Sequence, residues 1–141
     1  IVLPPAPAPA ANYVPYVKSN KLIFVSGQIP MLNGELVTGK IGKNIEIEDA
    51  KTAARLCGLA IVSQLNEATD LDLDKIKRIV KLGGFVNCID EFTQQPEIIN
   101  GASDLMVEVF GDKGKHSRFA VGTNSLPRNV VVEIEAVAEI H

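Results

Sequence analysis

Apolar and polar residues alternate near the end of the chain, a pattern typical of a β-strand with one buried face. Between Val130 and Ile140 every second residue is apolar. The opposite face carries three carboxylates: Glu133, Glu135 and Glu139. A shorter strand before it places one cation beside two small residues: Arg118, Ala120 and Gly122. We therefore expect residues 116–135 to form two neighbouring strands joined by a turn, with a guanidinium close to a row of carboxylates.

Similar patterns predict the remaining elements. Runs rich in β-branched and aromatic residues predict four more strands, at Tyr13–Lys18, Lys21–Gln28, Glu35–Thr38 and Ile76–Val86. Apolar residues at helical spacing predict two helices, at Glu48–Ala68 and from Pro96 to Gly111. We expect Pro15 to confine the first of these strands to a sheet edge or bulge, and the second and third to pair as a hairpin. The pair Gly83-Gly84 predicts a bulge or a close backbone approach.

This element order, β-β-β-α-β-α-β-β, is typical of a two-layer α+β fold in which two helices cover one face of a mostly antiparallel sheet. Residues 12–141 form a single domain in this prediction. Residues 1–11, rich in proline and alanine, form an extended N-terminal arm on its surface. Because two helices shield only one face of the sheet, we expect another copy of the chain to cover the other face in a closed homo-oligomer.

Composition narrows the functional classes. The net charge of -3, without a basic run, argues against a nucleic-acid binder, since phosphates attract positive surfaces. The two cysteines lack a CxxC motif and lie among apolar residues, so we expect buried free thiols in a reducing, cytoplasmic compartment. No apolar run is long enough to span a membrane. His116 and His141 lack partners at zinc-site spacing, so we expect no metal site.

Arg118 is the residue most suggestive of chemistry, because its strand is flanked by apolar residues and a buried arginine requires a carboxylate partner. That carboxylate belongs either to the protein, at Glu133 or Glu135, or to a ligand, and the residues alone slightly favour the protein. His116 shares a strand face with Arg118, where it either lines the same pocket or plays the commoner structural role of a strand-end histidine. Taken alone, Ser26 is interpreted as a residue that bonds the backbone, and an asparagine within the second helix as a surface or capping residue.

Three segments resemble the RidA/YjgF family, whose members are also called YER-type or L-PSP proteins. They are Phe24–Pro30 (FVSGQIP), Ser117-Arg118, and Leu126-Pro127 with Val132–Ala136 (VEIEA). The resemblance extends from Tyr13 to Ile140, with the elements in matching order. It implies a chorismate-mutase-like fold and a homotrimer with three clefts between subunits. The activity it implies is hydrolysis of reactive enamines and imines, such as 2-aminoacrylate, to 2-oxo acids and ammonia, with no metal or organic cofactor.

The resemblance also implies roles for individual residues. Arg118 corresponds to the arginine that clamps the substrate carboxylate, and Glu133 corresponds to the glutamate that positions or activates the attacking water. The substrate-binding positions that the family implies are Tyr13, Ser26, Gly27, Asn100 and Ala120. Gly27 offers its backbone, and Ala120 stands where many members have a cysteine that contributes mainly backbone groups.

Some segments depart from the family pattern. Gly114–Ser117 replaces the usual Pro-Ala before the arginine, one extra residue lies between Asn100 and Arg118, and the loop Gly39–Gly42 is unusual. These changes leave the substrate open, and it need not be 2-aminoacrylate. A non-catalytic sensor of 2-oxo acids or amino acids needs only the arginine, whereas the ribonuclease activity attached to some relatives fits poorly with an acidic chain. The chain begins at Ile1 rather than Met, which leaves room for missing N-terminal residues.

Overall fold

The computed structural model describes the whole chain, residues 1–141. Its strands and helices follow one another in this order: β1 Tyr16–Ser19, β2 Leu22–Gln28, β3 Met31–Leu32, β4 Glu35–Leu36, α1 Ile47–Ala68, β5 Ile76–Asn87, α2 Gln95–Phe110, β6 Ser117–Thr123 and β7 Val132–Ile140. Short 3-10 helices cover residues 73–75, 111–114 and 127–129. Every strand and helix that the sequence predicted is present, with bounds shifted by a few residues.

The main sheet has five strands in the order β1-β2-β7-β5-β6. Neighbouring strands run antiparallel except β5 and β6, which run parallel because α2 carries the chain back between them. α1 packs on β2 and β7, α2 packs on β5 and β6, and the two helices lie side by side. This architecture confirms an α+β fold with two helices on one face of a mostly antiparallel sheet.

β6 and β7 are not neighbours, so the expectation of two adjacent strands within residues 116–135 was wrong. β5 lies between them and pairs with both. The physical reason is the crossover: a strand that returns through a helix joins the sheet parallel to the strand it left, so β6 occupies one edge of β5. The segment 124–131 then takes the chain to the other edge, where β7 pairs antiparallel.

The predicted hairpin between Lys21–Gln28 and Glu35–Thr38 is also absent. β2 pairs with β1 on one edge and with β7 on the other, which leaves no edge for a third partner. The chain after β2 forms its own two-stranded ribbon, β3 with β4, and Thr38 makes an isolated bridge with Val130. β1 begins only after Pro15 and lies at the sheet edge, which the proline had predicted.

Small residues allow the helices and the sheet to approach one another closely. A Cβ atom at Gly101 of α2 would overlap the backbone carbonyl oxygen of Lys51, so the two helices touch there through their backbones. A Cβ atom at Gly84 of β5 would come within 2.6 Å of Ile99 Cδ1 in α2. The pair Gly83-Gly84 is therefore a close approach and not a bulge, because the register shifts of β5 fall earlier in the strand.

Residues 1–11 form no helix or strand and lie along α1. Ser63 Oγ donates to the carbonyl oxygen of Pro4 at 2.9 Å, and Gln64 Nε2 donates to that of Pro7 at 2.8 Å. Leu3 packs against the hydrophobic core. These contacts attach the segment to the helix although it has no strand partner.

The face of the sheet opposite the helices is left uncovered by the chain. Four large apolar side chains on it are exposed: Val17, Phe24, Phe85 and Val121. Glu135 lies among them, and Phe119 packs edge-to-face on Phe85 with ring centroids 5.3 Å apart. The uncovered face that the sequence predicted is present, while the second copy expected to cover it stays a prediction.

None of the helices combines the length and apolar character needed to cross a lipid bilayer. Cys57 and Cys88 are buried and free, as predicted. The reducing, cytoplasmic compartment inferred from these thiols stays a prediction.

We predict that Gly101→Ala destabilises the protein by about 1–3 kcal/mol, the usual cost of overpacking a core. Alanine is the better helix former by about 1 kcal/mol, so helix propensity alone predicts the opposite sign. The added methyl group would push α2 away from the Lys51 carbonyl. Urea unfolding followed by circular dichroism measures the change, with Asp104→Ala on the exposed side of α2 as the control. Equal or greater stability of Gly101→Ala would contradict the backbone contact between the helices.

Candidate functional site

Arg118 lies on β6, the edge strand beside α2, and its side chain points toward that helix. Its Nη1 donates to Ser103 Oγ at 3.0 Å, and its Nη2 donates to the carbonyl oxygen of Pro96 at 3.3 Å. Ala120 and Gly122 follow on the same face of the strand, and neither has a side chain larger than a methyl group. The helix therefore holds one side of the guanidinium, and small residues follow it along the strand.

Arg118 forms no ion pair with any carboxylate of the chain. The favoured partnership with Glu133 or Glu135 is therefore wrong within one chain, because both glutamates lie on β7, beyond β5 and on the other face of the sheet. The half-buried guanidinium donates only to two neutral oxygens. It keeps N–H groups free that could bind an anion in a forked geometry.

Asn100 lies one helical turn after Pro96 and about one turn before Ser103, so it shares the stripe of α2 that contacts the guanidinium. The structure thus brings three of the predicted site residues to the junction of β6 and α2. We call Asn100, Arg118 and Ala120 the arginine cluster.

Glu133 lies on β7 with its side chain on the uncovered face of the sheet. Gly27 of β2 lies beside it: a Cβ atom there would overlap Glu133 Oε2, so a larger residue would displace the carboxylate from its present position. The register between β2 and β7 shifts at this point. Ser26, next to Gly27, donates from Oγ to the carbonyl oxygen of Val14 at 2.7 Å, which is the backbone-bonding role expected of it.

Tyr13 is next in sequence to this group, since it precedes Val14, the residue whose carbonyl oxygen Ser26 binds. Its own hydroxyl accepts a hydrogen bond from the Ala10 N–H at 3.3 Å, and the side chain is exposed. We call Tyr13, Ser26, Gly27 and Glu133 the glutamate cluster.

The pKa of Glu133 is raised from its ordinary value of 4.5, first by partial burial and second by the negative charge of Glu135. Glu133 forms no ion pair within the chain that would offset these effects. A carboxylate with a raised pKa exchanges protons closer to neutral pH, which suits a general acid or base.

The two clusters do not meet within one chain. Arg118 is in register with the buried Leu82 of β5 on the helix side, whereas Glu133 is in register with the exposed Phe85 on the uncovered side. They lie on opposite faces of the sheet, and β5 separates their strands by about 10 Å. A single copy of the chain therefore presents two half-sites, one with a free cation and one with a free carboxylate.

Two further polar residues extend the arginine cluster. Ser103 Oγ lies 2.8 Å from His116 Nε2, and His116 Nδ1 lies 2.6 Å from the carbonyl oxygen of Gly114. His116 thus contacts the residue that binds Arg118, which agrees with the pocket-lining interpretation. It also bonds the backbone, which agrees with the structural interpretation. Sequence reasoning missed Ser103, although its place three residues after Asn100 on the helical stripe was an available signal.

A cavity of about 420 Å³ lies where β6 ends and α2 begins. Gly122, on the strand face of Arg118, lines it together with Gln95, the neighbour of Pro96. Its other polar lining residues are Asp90, Thr123 and Asn124. No group of three His, Cys, Asp or Glu side chains in the chain is placed to bind a metal ion. The cavity therefore offers hydrogen-bonding groups suited to a small organic molecule.

Comparison with known proteins agrees with the resemblance in the motifs. The family model described as YjgF/chorismate mutase-like, putative endoribonuclease, matches residues 1–140. Protein TCP17 of Trypanosoma cruzi is 46% identical over 143 residues, which cover 100% of this chain and 89% of the relative.

Solved structures give the same picture. Atu1372 of Agrobacterium tumefaciens, a protein of unknown function, superposes with a TM-score of 0.91 at 48% identity, covering 95% of this chain and 86% of that one. The E. coli protein TdcF, solved with bound serine, superposes with a TM-score of 0.68 at 25% identity, covering 96% of this chain and 94% of that one.

We predict that Glu133→Gln raises the stability of the fold at neutral pH, by up to about 0.5 kcal/mol because the side chain is only partly buried. The raised pKa means that folded Glu133 holds its proton more tightly than the unfolded chain does, so ionisation destabilises the fold. The advantage of the variant should be absent below pH 4.5 and should grow as the pH rises through the folded pKa. Urea unfolding at equal chain concentration and several pH values measures it. The exposed Glu35→Gln is the control, and lower stability of Glu133→Gln at neutral pH would contradict the prediction.

Proposed function

Because the chain belongs to the YjgF/chorismate mutase-like family, we propose that it hydrolyses reactive enamines and imines of amino acids to 2-oxo acids and ammonia. The family includes enamine and imine deaminases. The observation that carries the proposal is the unpaired, half-buried guanidinium of Arg118, which shares its strand face with Ala120 and with Gly122, a lining residue of the neighbouring cavity.

In this proposal Arg118 binds the carboxylate of the substrate. Its remaining N–H groups suit the two oxygens of a carboxylate, and a charge-assisted hydrogen bond of this kind contributes about 1.5–3 kcal/mol. Asn100, on the same stripe of α2, supplies an amide within the cluster. The neighbouring cavity of about 420 Å³ has room for the rest of a small ligand. Serine bound to TdcF supports a site for a small amino-acid-like molecule in this fold.

The carboxylate that activates water comes from a second copy of the chain in this proposal. Arg118 and Glu133 lie on opposite faces of one sheet, so one copy alone does not bring them together. The uncovered face beside Glu133 exposes Phe24, Phe85 and Val121, an apolar surface suited to burial against another copy. In a homotrimer each copy would contribute its arginine cluster to one cleft and its glutamate cluster to the next.

The reaction needs a positioned water and a group that moves protons. With the carboxylate held by Arg118, the imine carbon is fixed, and a water held by Glu133 attacks it. Glu133 accepts a proton from the water as the C–O bond forms and the C=N electron pair moves to nitrogen, and it returns this proton to nitrogen to give a carbinolamine. It then takes the proton of the new hydroxyl group and delivers it to nitrogen, so that the C–N bond breaks, the C=O bond of the 2-oxo acid forms and ammonia leaves. The raised pKa of Glu133 favours this alternation between base and acid.

We predict that Arg118→Ala lowers kcat/KM for amino-acid-derived imines by about 10- to 150-fold, the factor that corresponds to a lost charge-assisted bond. Arg118→Lys should fall between, because lysine keeps the charge but lacks the planar fork. The measurement is release of 2-oxo acid from several enzymatically generated imines, after subtraction of spontaneous hydrolysis. Arg128→Ala, which removes an exposed arginine of the turn 127–129, is the matched control.

Other outcomes of this measurement decide between functions. Unchanged turnover in Arg118→Ala would show that the clamp is assigned to the wrong residue. If wild type accelerates no imine while a 2-oxo acid still raises its melting temperature through Arg118, the protein is a non-catalytic sensor. Glu133→Gln adds a second criterion, because a sensor has no use for the basicity of that side chain.

We predict that mixing two impaired variants raises activity above that of either variant alone. When chains with Arg118→Ala and chains with Glu133→Gln are refolded together in equal amounts, about one quarter of the clefts in randomly mixed trimers should be active. A cleft is active when the copy that supplies the arginine cluster keeps Arg118 and the copy that supplies the glutamate cluster keeps Glu133. Each variant refolded alone is the control, and light scattering establishes the number of chains. Mixed trimers no more active than the separate variants would instead place both residues of a site in the same chain.

A further inference from the structure

Ser103 and His116 form a continuous chain of hydrogen bonds that ends on the guanidinium of Arg118. Ser103 Oγ lies 3.0 Å from Arg118 Nη1 and 2.8 Å from His116 Nε2. The other ring nitrogen, Nδ1, lies 2.6 Å from the carbonyl oxygen of Gly114. We call this arrangement the relay.

With a neutral imidazole, the protons of the relay have one consistent arrangement. The Gly114 carbonyl oxygen only accepts, so Nδ1 of His116 carries a hydrogen atom and donates it. In the neutral imidazole Nε2 is then an acceptor, and the Ser103 hydroxyl donates to it. The lone pairs of Ser103 Oγ accept from Arg118. All three bonds therefore point in the same direction and polarise one another.

The far end of the relay is fixed by packing. Residues 111–114 form a 3-10 helix directly after α2, and Gly114 is buried against α2. A Cβ atom at Gly114 would overlap the carbonyl oxygen of Met106 in α2, so the backbone lies directly on it. Because Ser103 also belongs to α2, the relay is attached to the same helix at its middle and at its end.

We propose that Ser103 and His116 are positioning residues, which hold the Arg118 guanidinium in the orientation that binds the carboxylate of a ligand. The inference rests on the proposed function, in which Arg118 binds that carboxylate. An arginine side chain has many rotamers, and ordering it before the ligand arrives reduces the entropy lost on binding. Without Ser103, only the 3.3 Å bond to the Pro96 carbonyl oxygen restrains the guanidinium.

A serine bonded to a histidine is also the arrangement of a nucleophile and its base. In this chain the Ser103 oxygen accepts a hydrogen bond from a cation, which draws electron density away from it and makes it a poorer nucleophile. The contacts therefore match a positioning role better. The two roles have different kinetic signatures, because a positioning residue acts on ligand affinity and a nucleophile acts on kcat.

The affinity for 2-oxobutanoate, a 2-oxo acid of the proposed product class, tests the inference by isothermal titration calorimetry. Ser103→Ala should weaken binding about tenfold, equivalent to ~1.4 kcal/mol, and Ser103→Thr should bind nearly as wild type because it keeps the hydroxyl. His116→Phe should weaken binding less than Ser103→Ala, and His116→Gln should recover part of that loss through its amide oxygen. Ser117→Ala is the matched control, since that hydroxyl donates to the Val80 carbonyl oxygen at 3.0 Å from the other face of β6.

A double-mutant cycle separates positioning from general damage to the fold. Once Arg118→Ala is present, Ser103→Ala should change the affinity no further, because no guanidinium is left to position. In imine hydrolysis Ser103→Ala should raise KM by about the same tenfold factor with kcat unchanged. Circular dichroism shows which variants fold, and His116→Phe tests the same relay should Ser103→Ala not fold.

The outcomes distinguish this inference from the function on which it rests. If Arg118→Ala loses binding while Ser103→Ala and His116→Phe bind as tightly as wild type, the positioning role is wrong and the carboxylate clamp stands. A fall in kcat with unchanged affinity in Ser103→Ala also overturns the positioning role, in favour of a nucleophile. If wild type binds no 2-oxo acid and hydrolyses no imine, both proposals fail.

Discussion

The position of β5 between β6 and β7 is the constraint on which the arrangement of this protein depends. The crossover through α2 places β6 parallel on one edge of β5, and the other edge needs a partner for its backbone N–H and C=O groups, which β7 supplies by pairing antiparallel. The helix-side residues of β5, among them Ile79, Leu82 and Val86, are fully buried and hold the strand against the core. As a result Arg118 and Glu133, close in sequence, lie on different strands and opposite faces.

Each half-site holds a charge that the chain does not balance. Arg118 donates to two neutral oxygens, and Glu133 is partly buried near a second carboxylate. Partly buried charges without a partner cost free energy, and binding a ligand or a proton relieves that cost. Unpaired charges that lower the stability of the fold are typical of functional sites, where they stay available to bind a ligand or exchange a proton. The two charges have opposite sign, as the proposed cleft between two copies requires.

Glycines, which have no Cβ atom, allow close contacts both in the core and in the half-sites. Gly101 lets α2 touch α1, and Gly84 lets β5 approach Ile99 of α2. The same device leaves room for the Glu133 carboxylate beside Gly27 and lets Gly114 lie on α2 at the end of the relay. At Gly101 and Gly114 a methyl group would meet a backbone carbonyl oxygen that has little freedom to move, whereas at Gly27 and Gly84 it would meet the end of a side chain. The geometry of the relay therefore depends on the same close packing that stabilises the fold.

The sequence by itself determined the type and extent of the main strands and helices, because periodicity records which side of each element is buried. Three features of the chain are local in this sense: the alternation over Val132–Ile140, the edge position after Pro15 and the start of α2 near Pro96. Motif resemblance also pointed to the residues of the arginine and glutamate clusters, though not to Ser103, and the role of both clusters in one catalytic cleft stays a proposal.

Only the tertiary structure decided which strands pair. Strand order depends on contacts between residues distant in sequence, so neither the separation of β6 from β7 nor the ribbon of β3 with β4 could be read from local patterns. The free guanidinium of Arg118 and its relay through Ser103 and His116 exist because α2 docks beside β6. A hydrogen-bond network of this kind has no sequence period, since its members come from separate elements that packing brings together.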